Sequence, residues 1–367
     1  GYSRGVLSAV QDCEKNNRNN KYRLIPAIMI SITHKLQAVK LFFIALPLFF
    51  VLSGCQTVTA TKAKEEGSGQ EKRVTNAEKL GFPAGKKVIL LHCDDAGMCE
   101  EANSAVMNYF TTGDIKSAAV MVPCPYAIQL VEWAKTLDSP DIGVHLTLTS
   151  EWKTYRWGTV SDPSKVPGLI DPEGKMWRDV PDVVTHASPE EIETEVRAQI
   201  DKVIRLGYRP SHIDTHMGTL YGSPEYLKIF LKIAVEYNIP ANALDVSDNA
   251  VAENFRQQGY PITAEVVEML NKYPLPKLDN FSSVPDGDTY ENKRENFFKL
   301  VSSLNPGITE IIFHPSVPTE NLKTITGSWQ QREWEAKLFS DPVVKKFFSD
   351  NGIIITTWRE IMKRHQG

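Results

Sequence analysis

Short apolar runs alternate with amphipathic helical patterns from Lys87 to the end of the chain, and no other feature constrains the fold as strongly. The runs that predict β-strands lie at 88–91, 118–122, 142–148, 212–216, 242–246, 281–284, 310–314 and 353–356. About seven or eight strand–helix units in a single catalytic domain indicate an α/β fold, an irregular (β/α) barrel similar to a TIM barrel. An open doubly wound sheet is the alternative, but no Gly-rich phosphate loop follows the first run.

Several helix boundaries are marked by their own residues. Ser188 with Pro189 and Glu191 makes a capping box and begins one helix, and Ser223 before Pro224 begins another. A third helix, at 100–110, is expected to end at a glycine, residue 113. The remaining predicted helices lie at 126–137, 263–271, 288–303, 329–349 and 358–364. Residues 149–187 form a long insertion rich in Trp, Tyr, Pro and Gly.

Acidic and imidazole side chains stand where four of the predicted strands end. They are Asp94 and Asp95, His145, the alternating residues His212, Asp214 and His216, and His314. Because (β/α) barrels gather their chemistry at the carboxyl ends of the strands, the sequence predicts one metal-centred catalytic pocket. Two histidines and a carboxylate, with positions left for water, are typical of a hydrolytic metal site.

Each of these segments also has a plainer interpretation. Asp94 and Asp95 could cap a helix, although two carboxylates exceed what a cap needs. His145 could be a hydrogen-bonded core residue, as a lone histidine in an apolar strand commonly is. The His-x-Asp-x-His residues share one face of a strand, which suits a ligand supported by His212 and Asp214, but satisfied side chains at a barrel rim would look the same.

The first 54 residues differ from the rest of the chain. A basic stretch precedes an apolar run, 41–52, which is too short to cross a bilayer comfortably. The run leads through Ser53 and Gly54 into Cys55, and this ending resembles the bacterial lipobox, in which the cysteine is lipidated and begins the mature protein. Met29 is then the expected start codon. A buried apolar helix is the alternative.

The predicted organisation therefore has three parts. They are an upstream extension and lipoprotein signal peptide (1–54), a lipidated cysteine with a polar, flexible tether (55–85) and the barrel domain (86–367). Without residues 1–54 the chain holds 34 Lys and Arg against 43 Asp and Glu, which argues against a nucleic-acid partner. We expect a lipid-anchored protein of the cell envelope, in the periplasm or at the outer membrane.

Cysteines and aromatic residues add two weaker expectations. Cys93, Cys99 and Cys124 would remain beside the lipidated cysteine, and an odd number in an oxidising compartment predicts one bridge and one buried thiol. The insertion supplies aromatic residues that suit the apolar faces of sugar rings, although packing within the loop explains them equally well. These are Trp152, Tyr155, Trp157 and Trp177, of which the first three are the candidate substrate-binding residues.

With these motifs in place, the chain resembles the YdjC or ChbG/HpnK family of carbohydrate deacetylases, relatives of the NodB-type polysaccharide deacetylases. The resemblance begins near Lys87 and is specific because four motifs occur in order. They are Asp94-Asp95-Ala96-Gly97, Gly143-Val144-His145, His212-Ile213-Asp214-Thr215-His216 and Phe313-His314-Pro315. Such an enzyme has an irregular (β/α) barrel and removes acetyl groups from N-acetylated amino sugars, such as chitooligosaccharides, with a divalent metal.

The resemblance also implies a role for each matching residue. The cofactor would be a divalent metal, magnesium or zinc. The implied ligands are Asp95, His145 and His216, the implied catalytic base is Asp94, and the implied acid that protonates the leaving amine is His314. One departure is Ala96, where the family usually has Phe, so the pocket and its substrate can differ. The lipoprotein leader is a second departure, since several relatives are cytoplasmic.

Two other classes of protein fit part of the pattern. A sugar isomerase or an amidohydrolase on the same barrel would use a similar His/Asp metal site. A glycan-binding lipoprotein without activity would need neither a base nor an acid beside its metal. An acetylated carbohydrate is the expected partner, together with a membrane reached through the N-terminal lipid.

Overall fold

The computed structural model describes residues 73–367, and within them seven strands form one sheet with parallel pairings throughout. The strands are β1 (Lys87–Ala96), β2 (Ser117–Val120), β3 (Asp141–Leu146), β4 (Ile213–Thr215), β5 (Asn280–Ser283), β6 (Gly307–Phe313) and β7 (Ile354–Ile355). Their order is β4-β3-β2-β1-β6-β5, and β7 pairs with the start of β1. Two isolated parallel bridges, Ile213–Ala241 and Leu244–Leu278, continue from β4 toward β5, so the sheet curls into a barrel-like form.

Helices follow most of the strands and cover the sheet. They are α1 (Asn76–Lys79), α2 (Glu100–Thr112), α3 (Ala127–Ala134), α4 (Val180–His186), α5 (Pro189–Arg205), α6 (Pro224–Tyr237), α7 (Asn249–Gln257), α8 (Ala264–Lys272), α9 (Tyr290–Ser303), α10 (Glu320–Ile325), α11 (Trp329–Leu338), α12 (Pro342–Asp350) and α13 (Trp358–Gln366). Short 3₁₀ turns lie at Pro163–Lys165, Pro167–Leu169 and His216–Tyr221. The α/β class and the barrel-like parallel sheet agree with the alternation in the sequence.

The central strand, β1, carries the run that the sequence pattern marked first. Val88, Ile89 and Leu90 are fully buried. They are apolar on both faces of the strand because parallel sheets in α/β proteins are covered on both sides. The start of β1 pairs with β6 and β7, and its end pairs with β2. This position brings the residues that end β1 to the middle of the sheet edge.

Helix caps confirm several predicted boundaries. Ser188 and Glu191 form the predicted capping box at the start of α5, and the Ser223 side chain accepts the N–H of Tyr226 at the start of α6. Gly113 ends α2 in the left-handed conformation, with φ 76°. The helix expected at 329–349 is instead two helices, because Pro342 begins a new one and cannot continue the hydrogen bonding of the last.

Two other expectations were wrong in detail. The strand expected at 242–246 is reduced to the isolated bridges, since the Asp245 carboxylate accepts the N–H and hydroxyl of Ser247 and turns the chain. The disulfide expected among Cys93, Cys99 and Cys124 is absent from the described residues, where all three thiols are buried and free. Two of them pack with methionines in a small second core beneath the insertion.

Residues 73–85 were expected to belong to the tether, but they pack on the domain. Thr75 and Glu78 form a capping box at α1, and the Asp279 carboxylate accepts the backbone N–H groups of Asn76 and Ala77 at 2.8 and 3.1 Å. The same carboxylate accepts the N–H of Ile308 at 2.8 Å. The described part of the chain therefore begins beside the first residues of β5 and β6.

The predicted signal peptide, the lipidation site at Cys55 and most of the predicted tether lie outside the described residues. Among residues 73–367, the helices are all too short or too polar to cross a bilayer.

Candidate metal centre

Three strand ends bring one carboxylate and two imidazoles together. The Asp95 Oδ1 atom lies 3.6 Å from His145 Nε2 and 3.4 Å from His216 Nδ1, and the two ring nitrogens are 3.2 Å apart. Three ligand atoms about 2.0–2.1 Å from one tetrahedral metal would lie about 3.3–3.4 Å from one another. All three residues are buried, and Asp95 Oδ1 has no hydrogen-bond partner.

The protons of the two imidazoles can be assigned from their other partners. His145 Nδ1 lies 2.8 Å from Asp214 Oδ1, and His216 Nε2 lies 3.1 Å from Glu151 Oε2. An ionised carboxylate only accepts hydrogen bonds, so in the neutral form that binds a metal each ring carries its proton on the nitrogen beside the carboxylate. His145 Nε2 and His216 Nδ1 are then bare lone pairs that face each other and Asp95. A cation bound between these three atoms would replace their mutual repulsion by attraction. The residues therefore fit a divalent metal.

The backbone of Asp95 explains how adjacent aspartates reach one pocket. In an extended strand, neighbouring side chains point to opposite faces. Asp95 instead has φ 59°, a left-handed conformation that is uncommon outside glycine. Its Oδ2 atom accepts a hydrogen bond from Arg332 Nη2 at 2.7 Å. Burial raises the pKa of Asp95, but Arg332 and the nearby histidines outweigh it and hold the pKa well below its usual range.

Asp214 links the metal centre to the interior of the sheet. Its Oδ2 atom lies 3.0 Å from His92 Nε2, and His92 Nδ1 lies 2.9 Å from the Ser117 hydroxyl. Burial opposes ionisation of Asp214, but His145 and His92 outweigh it and lower its pKa. Asp214 thus orients His145 as the sequence pattern predicts for a supporting carboxylate.

His212 lies deeper than the sequence pattern suggested. β4 covers only Ile213–Thr215, so His212 and His216 stand outside the strand at either end. The His212 ring stacks on Trp358 and meets the ring of His92 edge-on at 4.8 Å. The His212 carbonyl oxygen accepts the backbone N–H of Val144 at 3.1 Å, so it supports the neighbouring His145 through the backbone of β3 as well as through His92.

Asp94 and His314 flank the three ligands. The Asp94 Oδ2 atom lies 3.9 Å from His314 Nε2, and Asp94 Oδ1 lies 3.4 Å from His92 Nε2. Burial raises the pKa of Asp94 well above its usual value, and partial burial together with the charge of Arg332 lowers the pKa of His314. A cation bound next to Asp94 would oppose the effect of burial and favour its carboxylate form. His314 is the more accessible of the two, with 34% of its side chain exposed.

The aromatic residues of the insertion pack together beside the centre. Trp152 and Trp157 meet edge-on at 5.3 Å, and Tyr155 lies 6.3 Å from each ring. Trp157 is buried and lies 6.5 Å from the His216 ring, whereas Trp152 covers the Arg332 guanidinium at 5.6 Å. Trp177 stacks on His186 within the insertion instead.

Four residues of the site had no role assigned from the sequence. For His92, the only indication in the sequence was that it shares a strand face with Asp94. The others are Glu151 in the insertion and Arg332 and Glu335 on α11. Glu151 belongs to an irregular segment and the other two to a helix without a motif of its own, so pattern reasoning did not reach them.

A family model described as YdjC-like protein matches residues 88–350 of this chain. The chain belongs to the YdjC-like family. That range contains every candidate residue described above for the metal centre.

Relatives of this YdjC-like chain cover the same domain. A carbohydrate deacetylase from Thermoanaerobacter pseudethanolicus is 27% identical over 74% of this chain and 98% of its own length. One from Thermus thermophilus is 28% identical over 77% of this chain and 97% of its own. A solved structure from Enterococcus faecalis V583, described provisionally as a cellobiose-phosphate cleavage protein, has a TM-score of 0.62 and 22% identity over 76% of this chain and 99% of its own, which supports the fold.

Proposed function

We propose that this YdjC-like protein is a metal-dependent deacetylase that removes acetyl groups from N-acetylated amino sugars or their oligosaccharides. The observation that carries the proposal is the trio of lone pairs on Asp95, His145 and His216 that converge within 3.6 Å. The names of the relatives, carbohydrate deacetylases, supply the reaction class. The parallel, barrel-like sheet is consistent with a TIM-barrel-like framework, in which strand ends carry the chemistry.

Each residue has a task that follows from its place. A divalent cation held by the three ligands would polarise the acetamide carbonyl and make water a better nucleophile. Asp94 takes a proton from the water that attacks the carbonyl carbon. His314, whose Nε2 lies 3.9 Å from Asp94 Oδ2, passes the proton taken by Asp94 to the amide nitrogen as the C–N bond breaks, and acetate and a free amine separate. Trp152 and Tyr155 would cover the sugar beside this centre.

Acetate release from N-acetylglucosamine oligomers tests this proposal when metal content is measured in the same sample. We expect acetate from the loaded protein, no acetate after chelation, and recovery with magnesium or zinc. Isomerised sugar without acetate would favour an isomerase. Glycan binding without acetate from any acetylated sugar would favour the binding protein.

We further propose that Cys55 carries a lipid that anchors the protein in the cell envelope. The support is the apolar run, 41–52, followed by Ser53 and Gly54. Incorporation of a labelled fatty acid into the full chain, and its loss in Cys55→Ala, tests this. Label retained in that variant would contradict it.

A further inference from the structure

Helix α11 contributes two buried charged side chains, one turn apart, to the candidate centre. Arg332 Nη2 donates to Asp95 Oδ2 at 2.7 Å, and Glu335 Oε2 accepts the backbone N–H of His314 at 2.7 Å. The helix thereby contacts a candidate ligand from β1 and the candidate acid that follows β6. We propose that α11 is a positioning helix, in which Arg332 fixes Asp95 for the metal and Glu335 fixes the backbone of His314.

Arg332 determines which oxygen of Asp95 is left for a ligand. The guanidinium occupies Oδ2, and Oδ1 remains without a hydrogen-bond partner between His145 and His216. It also holds a residue whose left-handed backbone costs about 1–2 kcal/mol. The guanidinium is itself held, since its Nε donates to the Ser328 hydroxyl at 3.3 Å and its face lies under Trp152.

Glu335 is held from the other side by a buried lysine. Lys293 is fully buried, and its Nζ lies 2.8 Å from Glu335 Oε1 and 3.1 Å from Gln331 Oε1. A buried ammonium requires such partners because an unpaired buried charge is strongly destabilising. With Oε1 engaged, Oε2 is directed to the N–H of His314. The arrangement fixes the end of β6 without touching the imidazole.

This inference rests on the proposed function, and its test begins with metal binding in the absence of substrate. Arg332→Lys keeps the charge but loses the planar, forked donor. We expect this variant to bind Zn²⁺ about 10- to 100-fold more weakly than wild type in competition with a chelator, as loss of a group that orients a ligand does. Arg294→Lys is the matched control, because Arg294 Nη1 donates to Asp341 Oδ2 at 2.7 Å away from the centre.

Two further variants separate positioning from a loss of fold. Ser328→Ala leaves Arg332 in place but removes the partner of its Nε, and we expect a smaller loss of Zn²⁺ affinity in the same direction. Glu335→Gln keeps an acceptor for the His314 N–H but breaks the ion pair with Lys293. For that variant we expect a lower kcat, with KM and Zn²⁺ affinity close to wild type.

The outcomes are distinct. Wild-type Zn²⁺ affinity in both Arg332→Lys and Ser328→Ala overturns the role of Arg332, as does an equal loss in Arg294→Lys. An unchanged kcat in Glu335→Gln overturns the role of Glu335. A wild-type protein that binds Zn²⁺ but releases no acetate overturns the proposed deacetylase function and leaves the Arg332 comparison readable. A wild-type protein that binds neither Zn²⁺ nor Mg²⁺ overturns both.

Discussion

At the scale of single residues, hydrogen-bond partners separate side chains that the sequence places next to each other. Asp95 has one oxygen on Arg332 and the other toward the histidines, whereas Asp94 lies between His92 and His314. The different partners of the two adjacent carboxylates match the different tasks proposed for them, a ligand and a base. The motif could predict that both lie at a strand end, but only the left-handed backbone of Asp95 explains how they share a pocket.

Replacing the candidate base tests this division. Asp94→Asn keeps the size of the side chain and removes its capacity to take a proton, and Asp94 is outside the trio of ligands. We expect kcat to fall by about 100- to 10,000-fold while the metal content per chain stays at the wild-type level. Full activity in this variant would refute the assignment of the base.

Glu151 offers a second test at this scale. Its Oε2 atom lies 3.1 Å from His216 Nε2, a contact that favours a proton on Nε2 and leaves Nδ1 as the proposed ligand atom. Glu151→Ala removes that control, so we expect Zn²⁺ to bind about tenfold more weakly or worse. Glu173→Ala, in the same insertion but paired with Arg156 and Arg178, is the control. Equal affinities in the two variants would count against the role of Glu151.

At the scale of strands and helices, the alternating pattern predicted where the chemistry would lie. Asp94 and His145 lie in β1 and β3, and His314 directly follows β6. The pattern failed where tertiary contacts decide. Arg332 contacts Asp95, 237 residues earlier in the chain, and Glu335 contacts the backbone of His314, 21 residues earlier. Nothing in their local sequence marks either contact. His212 was predicted to support the ligands, but strand alternation does not show how short β4 is.

Close packing of β3 against the residue before β4 yields a stability prediction. A Cβ at Gly143 would lie 2.4 Å from His212 Nε2 and 2.6 Å from the His212 carbonyl oxygen. The backbone atom cannot move aside easily, so we expect Gly143→Ala to lower the free energy of unfolding by about 3 kcal/mol or more. Gly327→Ala has open space and is the control. Denaturant unfolding of both variants checks this, and equal midpoints would refute it.

Glu310 on β6 predicts a pH dependence of stability. Burial, opposed by His92, raises its pKa from 4.5 to about 7, and its Oε1 accepts the Trp358 indole N–H. Between pH 4.5 and about pH 7 the folded protein binds more protons at Glu310 than the unfolded chain does. Rising pH therefore lowers the free energy of unfolding, by on the order of 3 kcal/mol in total. We expect Glu310→Gln to show a smaller fall in Tm from pH 5 to pH 8. An identical slope in both proteins would contradict this.

At the scale of the whole molecule, one carboxylate joins the first described residues to the later half of the chain. The Asp279 carboxylate accepts hydrogen bonds from the backbone N–H groups of Asn76, Ala77 and Ile308. The packing there is close, since a Cβ added at Gly307 would lie 2.7 Å from the Cβ of Asp279. Composition predicted a tether here because residues 56–85 are polar. Composition could not show that two of those backbone donors have a buried acceptor some 200 residues away.

Removing that acceptor should separate stability from metal binding. Asp279→Ala leaves three backbone donors without their partner, and we expect the free energy of unfolding to fall by about 2–4 kcal/mol. Zn²⁺ affinity of the folded protein should stay at the wild-type value, because Asp279 lies at the strand starts and the ligands at the strand ends. A loss of affinity at a temperature where the variant is folded would contradict this separation.

The hydrogen bonds between α1 and Asp279 also show at which end of the sheet α1 lies. β6 has seven residues, which at about 3.3 Å per residue span roughly 20 Å. Ile308, which donates to Asp279, lies near the start of this strand, and His314 follows its end. The described part of the chain therefore begins at the end of the sheet away from the pocket, so α1 leaves the opening of the pocket clear for a bound sugar.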